Sequence, residues 1–251
     1  MNQEQTRSML LLALGATALW LWRSGEALNY IRPGLVPLVL AAGLVLLALG
    51  LLPPLGLVGT GLGRSADASG DESGGHQHRG RVGWLLLVPV LVVMVVQPAA
   101  LGSYAVSSRT VVPGAGDSGF PALAAPVRGA VPMTMAEFVT RAVRDPSQSL
   151  AGVRVRLTGF VSPVKDGDGY QLTRFVIFCC AADAEALQVA VHGDPTPRAR
   201  DQWLEVEGIW APRAIPPDDG RTPPPPVLNV NLVRPVGQPR PPYEYTVQFN
   251  G

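Results

Sequence analysis

The residues best suited to chemistry lie together in one short segment. The sequence Phe-Cys-Cys-Ala-Ala-Asp at 178–183 holds the only two cysteines of the chain, Cys179 and Cys180, together with the carboxylate of Asp183. Thiolates favour zinc or Cu(I), and a carboxylate can supply a further oxygen ligand. A complete zinc site needs more ligands, and His192 would join the set if the following strand folds back beside the cysteines. The segment therefore predicts a site for zinc or another thiophilic metal.

Two other interpretations of this segment stay open. A disulfide between adjacent cysteines closes a strained ring, so we expect a pair of free thiols. In one alternative, Cys179 and Cys180 point to opposite faces of a strand, one of them into the core, and Asp183 only fixes a turn. In the other, the thiols cycle between reduced and oxidised forms, with Arg174 as the one nearby residue that would lower a thiol pKa.

A second, weaker cluster contains His76 and His78 in the sequence GGHQH. Two histidines one residue apart can bind a transition metal weakly, but an ordinary solvated linker that contains two histidines is the better explanation. No GxSxG, HExxH or Walker-type sequence occurs, so we do not expect an enzyme. The net charge of +1 and the lack of a Lys/Arg cluster disfavour nucleic acid as a partner.

Three uncharged, apolar stretches predict membrane helices, because about 20 such residues cross a bilayer. They cover residues 8–22, 34–52 and 82–101. The first is short enough to be a cleaved signal peptide, but Trp20 and Trp22 followed by Arg23 are more typical of an interfacial anchor. We expect a multi-pass protein of the plasma membrane that is surrounded by the lipid bilayer.

Basic residues near the ends of the spans predict the orientation. Four arginines lie on the side of the N-terminus and three on the other side, which favours a cytoplasmic N-terminus and an extracytoplasmic C-terminal domain. The four are Arg7, Arg64, Arg79 and Arg81, and the three are Arg23, Arg32 and Arg109. The predicted organisation is a transmembrane region at 1–111 with a flexible loop at 59–83, a linker at 112–132, and a soluble domain at 133–251.

The C-terminal domain has the pattern of a small β-rich fold. Thr134 and Glu137 have the spacing of a capping box, which predicts one amphipathic helix that ends near Pro146. Five strands are predicted from period-two alternation and turn residues. The first strand covers residues 153–158, and the other four cover residues 170–178, 186–191, 203–210 and 227–233. Five short strands indicate a barrel of the OB type.

Two blocks of the sequence resemble the YcgQ-like family of uncharacterised membrane permease subunits. The first is WRSGEALNYIRP, residues 22–33, and the second covers residues 152–191. The second block contains a Gly-Phe-Val strand followed by an R-x-x-I-x-C-C-x-A-D-A core. This core falls on Arg174, Ile177, Cys179, Cys180, Ala182, Asp183 and Ala184.

The resemblance implies that the chain is an accessory subunit and that a separate polytopic permease forms the transport pathway. It also favours a functional role for the cysteine segment. Family members often carry a histidine-rich loop between the second and third helices, of which this chain keeps only His76 and His78. The leading hypothesis is an accessory permease subunit whose extracytoplasmic domain binds a solute such as a thiophilic metal. A metal-free docking protein and a membrane-tethered thiol redox protein are the alternatives.

Overall fold

The computed structural model describes residues 3–53, 88, 92, 99–106, 112–113, 120–164, 169–212 and 223–245. The chain divides into two compact units. The first unit contains residues 1–27 and 33–99, and the second contains residues 28–32 and 100–251. The short segment 28–32 therefore belongs to the same unit as the C-terminal strands, although it lies between two helices of the first unit in the sequence.

The described part of the first unit contains two helices in close contact. Helix α1 covers Gln3–Ser24, and helix α2 covers Val36–Leu51 after a 3-10 turn at Pro33–Leu35. A Cβ atom on Gly15 would lie 2.7 Å from Cγ of Leu47, and one on Gly43 would lie 3.0 Å from Cβ of Ala18. The two backbones can approach this closely only because small residues lie at the contact.

One helix of the described chain, Pro33–Leu51, is long and apolar enough to cross a membrane, and 11% of its apolar window is buried. This low burial distinguishes it from the core helix of a soluble protein. Helix α1 does not meet the same standard, because Arg7 and Arg23 and other polar residues lie near its ends. Of the third predicted span, Val88 and Val92 are helical, residues 99–101 are not, and the rest lies outside the described residues, as does the loop predicted at 59–83. For the three predicted spans, the described residues contain one helix that is long and apolar enough to cross a membrane.

In the second unit, helix α3 covers Met135–Arg144 and begins at the predicted cap. The hydroxyl of Thr134 accepts the N–H of Glu137 at 3.1 Å. The helix ends at Asp145, whose carboxylate accepts N–H and O–H bonds from Ser147 and Ser149. Burial alone would raise the pKa of Asp145, but these hydrogen bonds outweigh it and lower the pKa to about 2. The same carboxylate therefore both ends the helix and shapes the turn that leads to the sheet.

The described residues form seven strands in one sheet. They are β1 Val131–Pro132, β2 Arg154–Pro163, β3 Tyr170–Ile177, β4 Glu185–His192, β5 Trp203–Ala211, β6 Val227–Pro235 and β7 Glu244–Tyr245. The five predicted strands correspond to β2 to β6, with small differences at their ends. The two-residue strands β1 and β7 were not predicted, because two residues are too few to show a period-two pattern.

The five long strands pair in a ring. β2 pairs with both β3 and β5, β3 with β4, and β5 with β6, all antiparallel, and β4 pairs with β6 in parallel. The pairing therefore runs from β2 through β5, β6, β4 and β3 back to β2. Alternating residues such as Val155, Leu157 and Val206 fill the interior together with Phe138 of α3. The mainly-β character predicted for this domain is confirmed.

Candidate functional site

The two cysteines lie in the loop that joins β3 to β4, and a single carboxylate shapes this loop. Oδ1 of Asp183 accepts the N–H of Phe178 at 2.9 Å. Oδ2 accepts the N–H of Cys179 at 2.8 Å and that of Cys180 at 3.2 Å. Three consecutive N–H groups therefore converge on one side chain, which holds the backbone that carries both thiols. We call residues 178–183 the cysteine loop.

The segment 28–32 supports the cysteine loop from the other side. Ile31 pairs with Cys180 in an isolated antiparallel bridge. The N–H of Arg32 donates to the carbonyl oxygen of Cys179 at 3.1 Å, and the N–H of Ala181 donates to the carbonyl oxygen of Tyr30 at 2.7 Å. These residues belong to the first of the two sequence blocks that resemble the YcgQ-like family, so the two blocks meet at the cysteines.

Both thiols are free and lie outside the hydrophobic core. Cys179 is exposed and Cys180 is half-buried. Their sulfur atoms lie 3.6 Å apart. The pair does not alternate across a strand, because β3 ends at Ile177, before the first cysteine. The interpretation with one cysteine in the core was therefore wrong.

The charge of Asp183 controls the protonation of the neighbouring thiol. A hydrogen bond from the thiol of Cys179 to the Asp183 carboxylate, reinforced by contact with Cys180, raises the pKa of Cys179 to about 12. The same hydrogen bond and the three backbone N–H groups lower the pKa of Asp183 to about 2. In the absence of a bound cation, Cys179 is thus a neutral thiol beside an ionised carboxylate at neutral pH.

The donor atoms have a spacing that suits a metal ion. The sulfur atoms of Cys179 and Cys180 and a carboxylate oxygen of Asp183 all lie within 4.8 Å of one another. Two thiolates on a tetrahedral zinc, with Zn–S bonds of about 2.3 Å, are about 3.8 Å apart, close to the observed sulfur separation. Oδ1 of Asp183 accepts one backbone N–H and keeps a second lone pair for a cation. Three protein donors leave a fourth position for water or a ligand from a partner.

Residues 134–246 match the DUF1980 C-terminal domain. This match to an uncharacterised family begins at the cap of α3 and ends one residue after β7, so it contains the strand ring and the cysteine loop. It does not extend to α1 and α2. No curated protein and no solved structure matches the chain. The specific YcgQ-like resemblance and the permease role therefore stay predictions.

Within the matched domain, the structure does not bring His192 to the cysteines. Strand β4 begins at Glu185, directly after the cysteine loop, and His192 is its last residue. Seven steps of about 3.3 Å place His192 about 23 Å farther along the strand. The prediction that His192 completes the site was wrong for this reason. His76 and His78 lie outside the described residues.

The matched region also contains a buried ion pair that the sequence pattern does not predict. The carboxylate of Glu244 accepts the N–H groups of Met135 and Ala136, each at 2.8 Å, at the start of α3. Nε of Arg174 lies 3.7 Å from Oε1 of Glu244. Burial raises the pKa of Glu244, and the charge of Arg174 and the two N–H groups oppose this. Arg174 thus contacts Glu244 and the ring of Trp203, and it is not among the groups that shift the pKa of Cys179.

This ion pair borders an open cleft of about 480 Å³. Thr158, Tyr243 and Tyr245 also line the cleft. Nε of Arg174 and the hydroxyl of Tyr245 are both buried and have no hydrogen-bond partner. No motif in the sequence marks Glu244, which stands in a short Tyr-Glu-Tyr stretch more than 60 residues after the cysteines.

Proposed function

We propose that this chain is an accessory membrane subunit whose C-terminal domain binds a thiophilic metal ion, zinc or a similar cation, at Cys179, Cys180 and Asp183. The observation that carries the proposal is the convergence of the three donor atoms within 4.8 Å on an exposed loop. The domain is not an enzyme in this proposal. It captures the ion and presents it to a separate polytopic permease.

The membrane part of the proposal extends beyond the one apolar helix Pro33–Leu51. Three spans anchor the chain in the plasma membrane, and the distribution of basic residues places the C-terminal domain outside the cytoplasm. The five-stranded ring is of the OB type, a fold whose surface commonly serves as a binding platform. A permease partner follows from the resemblance to the YcgQ-like family.

The exposure of the site supports presentation of an ion rather than permanent storage. Structural zinc sites are closed by four protein ligands, whereas this loop offers three donors and an open side. A partner can therefore supply a fourth ligand without dismantling the loop. The raised pKa of Cys179 works in the same direction, because a proton competes with the metal and keeps the site reversible.

A metal-free docking function is the second candidate, and the hydrogen bonds of Asp183 favour it. This carboxylate is used to hold the backbone of Phe178, Cys179 and Cys180, a role that requires no cation. In this case the loop surface contacts a partner directly. A thiol redox function is less consistent with the site, because a pKa of about 12 leaves little of the Cys179 thiolate that would start disulfide exchange.

Metal content of the purified full-length chain tests the proposal. The protein is purified in detergent under reducing conditions, loaded with zinc, dialysed and measured by elemental analysis. We expect one zinc ion per chain, retention of this ion in His192→Ala, and its loss in Cys179→Ser/Cys180→Ser. A lower zinc content in His76→Ala/His78→Ala than in the wild type would reveal an additional ion that these two histidines bind.

The outcomes distinguish the candidates. Equal zinc content in the wild type and the double-serine variant would exclude the cysteine loop as the metal site. A wild type without metal, whose double-serine variant still co-purifies with a polytopic partner, would establish the docking function. A tagged chain that co-purifies with no polytopic membrane protein would contradict the accessory role.

A further inference from the structure

The cysteine loop is joined by backbone hydrogen bonds to the residues that lead into the apolar helix. The carbonyl oxygen of Cys179 accepts the N–H of Arg32 at 3.1 Å. The helix that is apolar enough to cross a membrane begins at the next residue, Pro33. The cysteine loop is therefore hydrogen-bonded to the residue that immediately precedes this apolar helix in the sequence.

A second connection reaches the same place. The hydroxyl of Tyr243 donates to the carbonyl oxygen of Asn29 at 2.9 Å. The same hydroxyl accepts the N–H of Leu101 at 2.9 Å. Leu101 is the last residue of the third apolar stretch in the sequence, and Asn29 lies four residues before the span that begins at Pro33. One tyrosine thus holds both segments by which the domain is connected to apolar parts of the chain.

The exposed residues around these connections are the types found at the surface of a bilayer. Tyr104 is 76% exposed and Phe178 is 47% exposed. Arg32 is exposed and lies over the ring of Tyr245 at 5.6 Å. Aromatic rings and arginines at the ends of a span are typical of the headgroup region, which is roughly 5–8 Å thick on each side of the hydrocarbon core.

We propose that the cysteine loop lies at the lipid headgroup level, with Phe178, Tyr104 and Arg32 in contact with the bilayer surface. This inference rests on the membrane anchoring in the proposed function, and it is independent of metal binding. The thiols then face the membrane surface at the level where the mouth of a polytopic partner opens.

The chain has only two cysteines, so the depth of the loop can be measured with a nitroxide label on a native residue. The full-length Cys180→Ser variant is labelled at Cys179, reconstituted into phosphatidylcholine liposomes and studied by EPR power saturation with oxygen and a water-soluble nickel chelate. Two controls are built on the cysteine-free chain, with one cysteine introduced in each. Gly34→Cys marks the start of the span, where a side chain meets open space, and His192→Cys marks the far end of β4.

The expected result is a Cys179 label that resembles the Gly34→Cys label. Its ratio of oxygen to nickel accessibility should exceed that of the His192→Cys label by about threefold or more, because oxygen dissolves in apolar lipid whereas the polar nickel chelate is depleted near the hydrocarbon. A Cys179 label that matches His192→Cys, while Gly34→Cys reports the headgroup region, would overturn this inference alone. A Gly34→Cys label in the aqueous phase would overturn the membrane anchoring as well.

Discussion

Replacing Asp183 by Asn should make Cys179 markedly more reactive. In the wild type, the hydrogen bond to the Asp183 carboxylate raises the pKa of Cys179 from 9.0 to about 12. The thiolate, not the thiol, reacts with iodoacetamide. At about pH 7.5, a return to the ordinary pKa would increase the thiolate population of Cys179 by about 1000-fold. Water screens interactions around this exposed residue, so we expect a smaller increase in the alkylation rate, of about tenfold or more.

The assay is the rate of iodoacetamide alkylation of the folded chain as a function of pH. Cys180→Ser is used as the common background, so that one thiol is measured and the only difference is residue 183. Glu185→Gln serves as the matched control, because it removes one negative charge close to the loop and leaves the Asp183 carboxylate in place. The midpoint of the pH profile should lie above about 10 with Asp183 and near the ordinary thiol value of 9.0 with Asn.

An unchanged or slower alkylation rate in Asp183→Asn would refute the assignment of the raised pKa to this carboxylate. An equal acceleration in Glu185→Gln would show that general negative charge, rather than the hydrogen bond, protects the thiol. Circular dichroism of each variant establishes that the strands remain folded. The comparison therefore isolates one interaction of the cysteine loop.

Three further predictions concern stability in denaturant or on heating. Glu244→Ala should lower the free energy of unfolding by about 3–5 kcal/mol, because it leaves the Arg174 cation buried without its partner. Glu244→Gln keeps an acceptor for the N–H groups of α3 and should lower the free energy of unfolding by less in the same experiment. Gly43→Leu should destabilise the α1–α2 contact by about 2 kcal/mol or more, whereas Gly34→Leu, which meets open space, should leave the melting temperature unchanged. Asp145→Ala should lower the free energy of unfolding by about 2 kcal/mol at neutral pH, because the pKa of this carboxyl is 3.8 in the unfolded chain and about 2 in the folded chain. This stabilisation is complete above about pH 3.8 and is lost as the pH falls through about 2, so wild type and variant should converge in acid.

The sequence was sufficient to predict the elements that have a local pattern. The cap of α3 follows from the spacing of Thr134 and Glu137, and the alternation of apolar residues located β2 to β6. The proximity of Cys179, Cys180 and Asp183 was predictable for the same reason, because residues within one short loop are close in any fold. These features depend on contacts over about five residues or fewer.

The remaining features depend on contacts between distant parts of the chain. The hydrogen bonds between the segment 28–32 and the cysteine loop join residues about 150 positions apart, and no local sequence pattern predicts such a pairing. Glu244 acts through two N–H groups more than 100 residues earlier, so its role appears only after the sheet has formed. His192 is different, because the rise of an extended strand is by itself enough to exclude this residue from the cysteine loop.

The cysteine loop combines a hydrogen-bonded backbone with two thiols that lie outside the core. Antiparallel neighbours such as β3 and β4 can be joined by about two to five residues, whereas this connection has seven, at 178–184. The N–H groups of Phe178, Cys179 and Cys180 and the carbonyl oxygens of both cysteines all have partners. Free cysteines are among the residues most often buried in cores, yet neither thiol is buried. A loop that served only as a connection would require neither the extra length nor a carboxylate dedicated to its backbone, so this geometry favours a role in which the two thiols meet an external ligand.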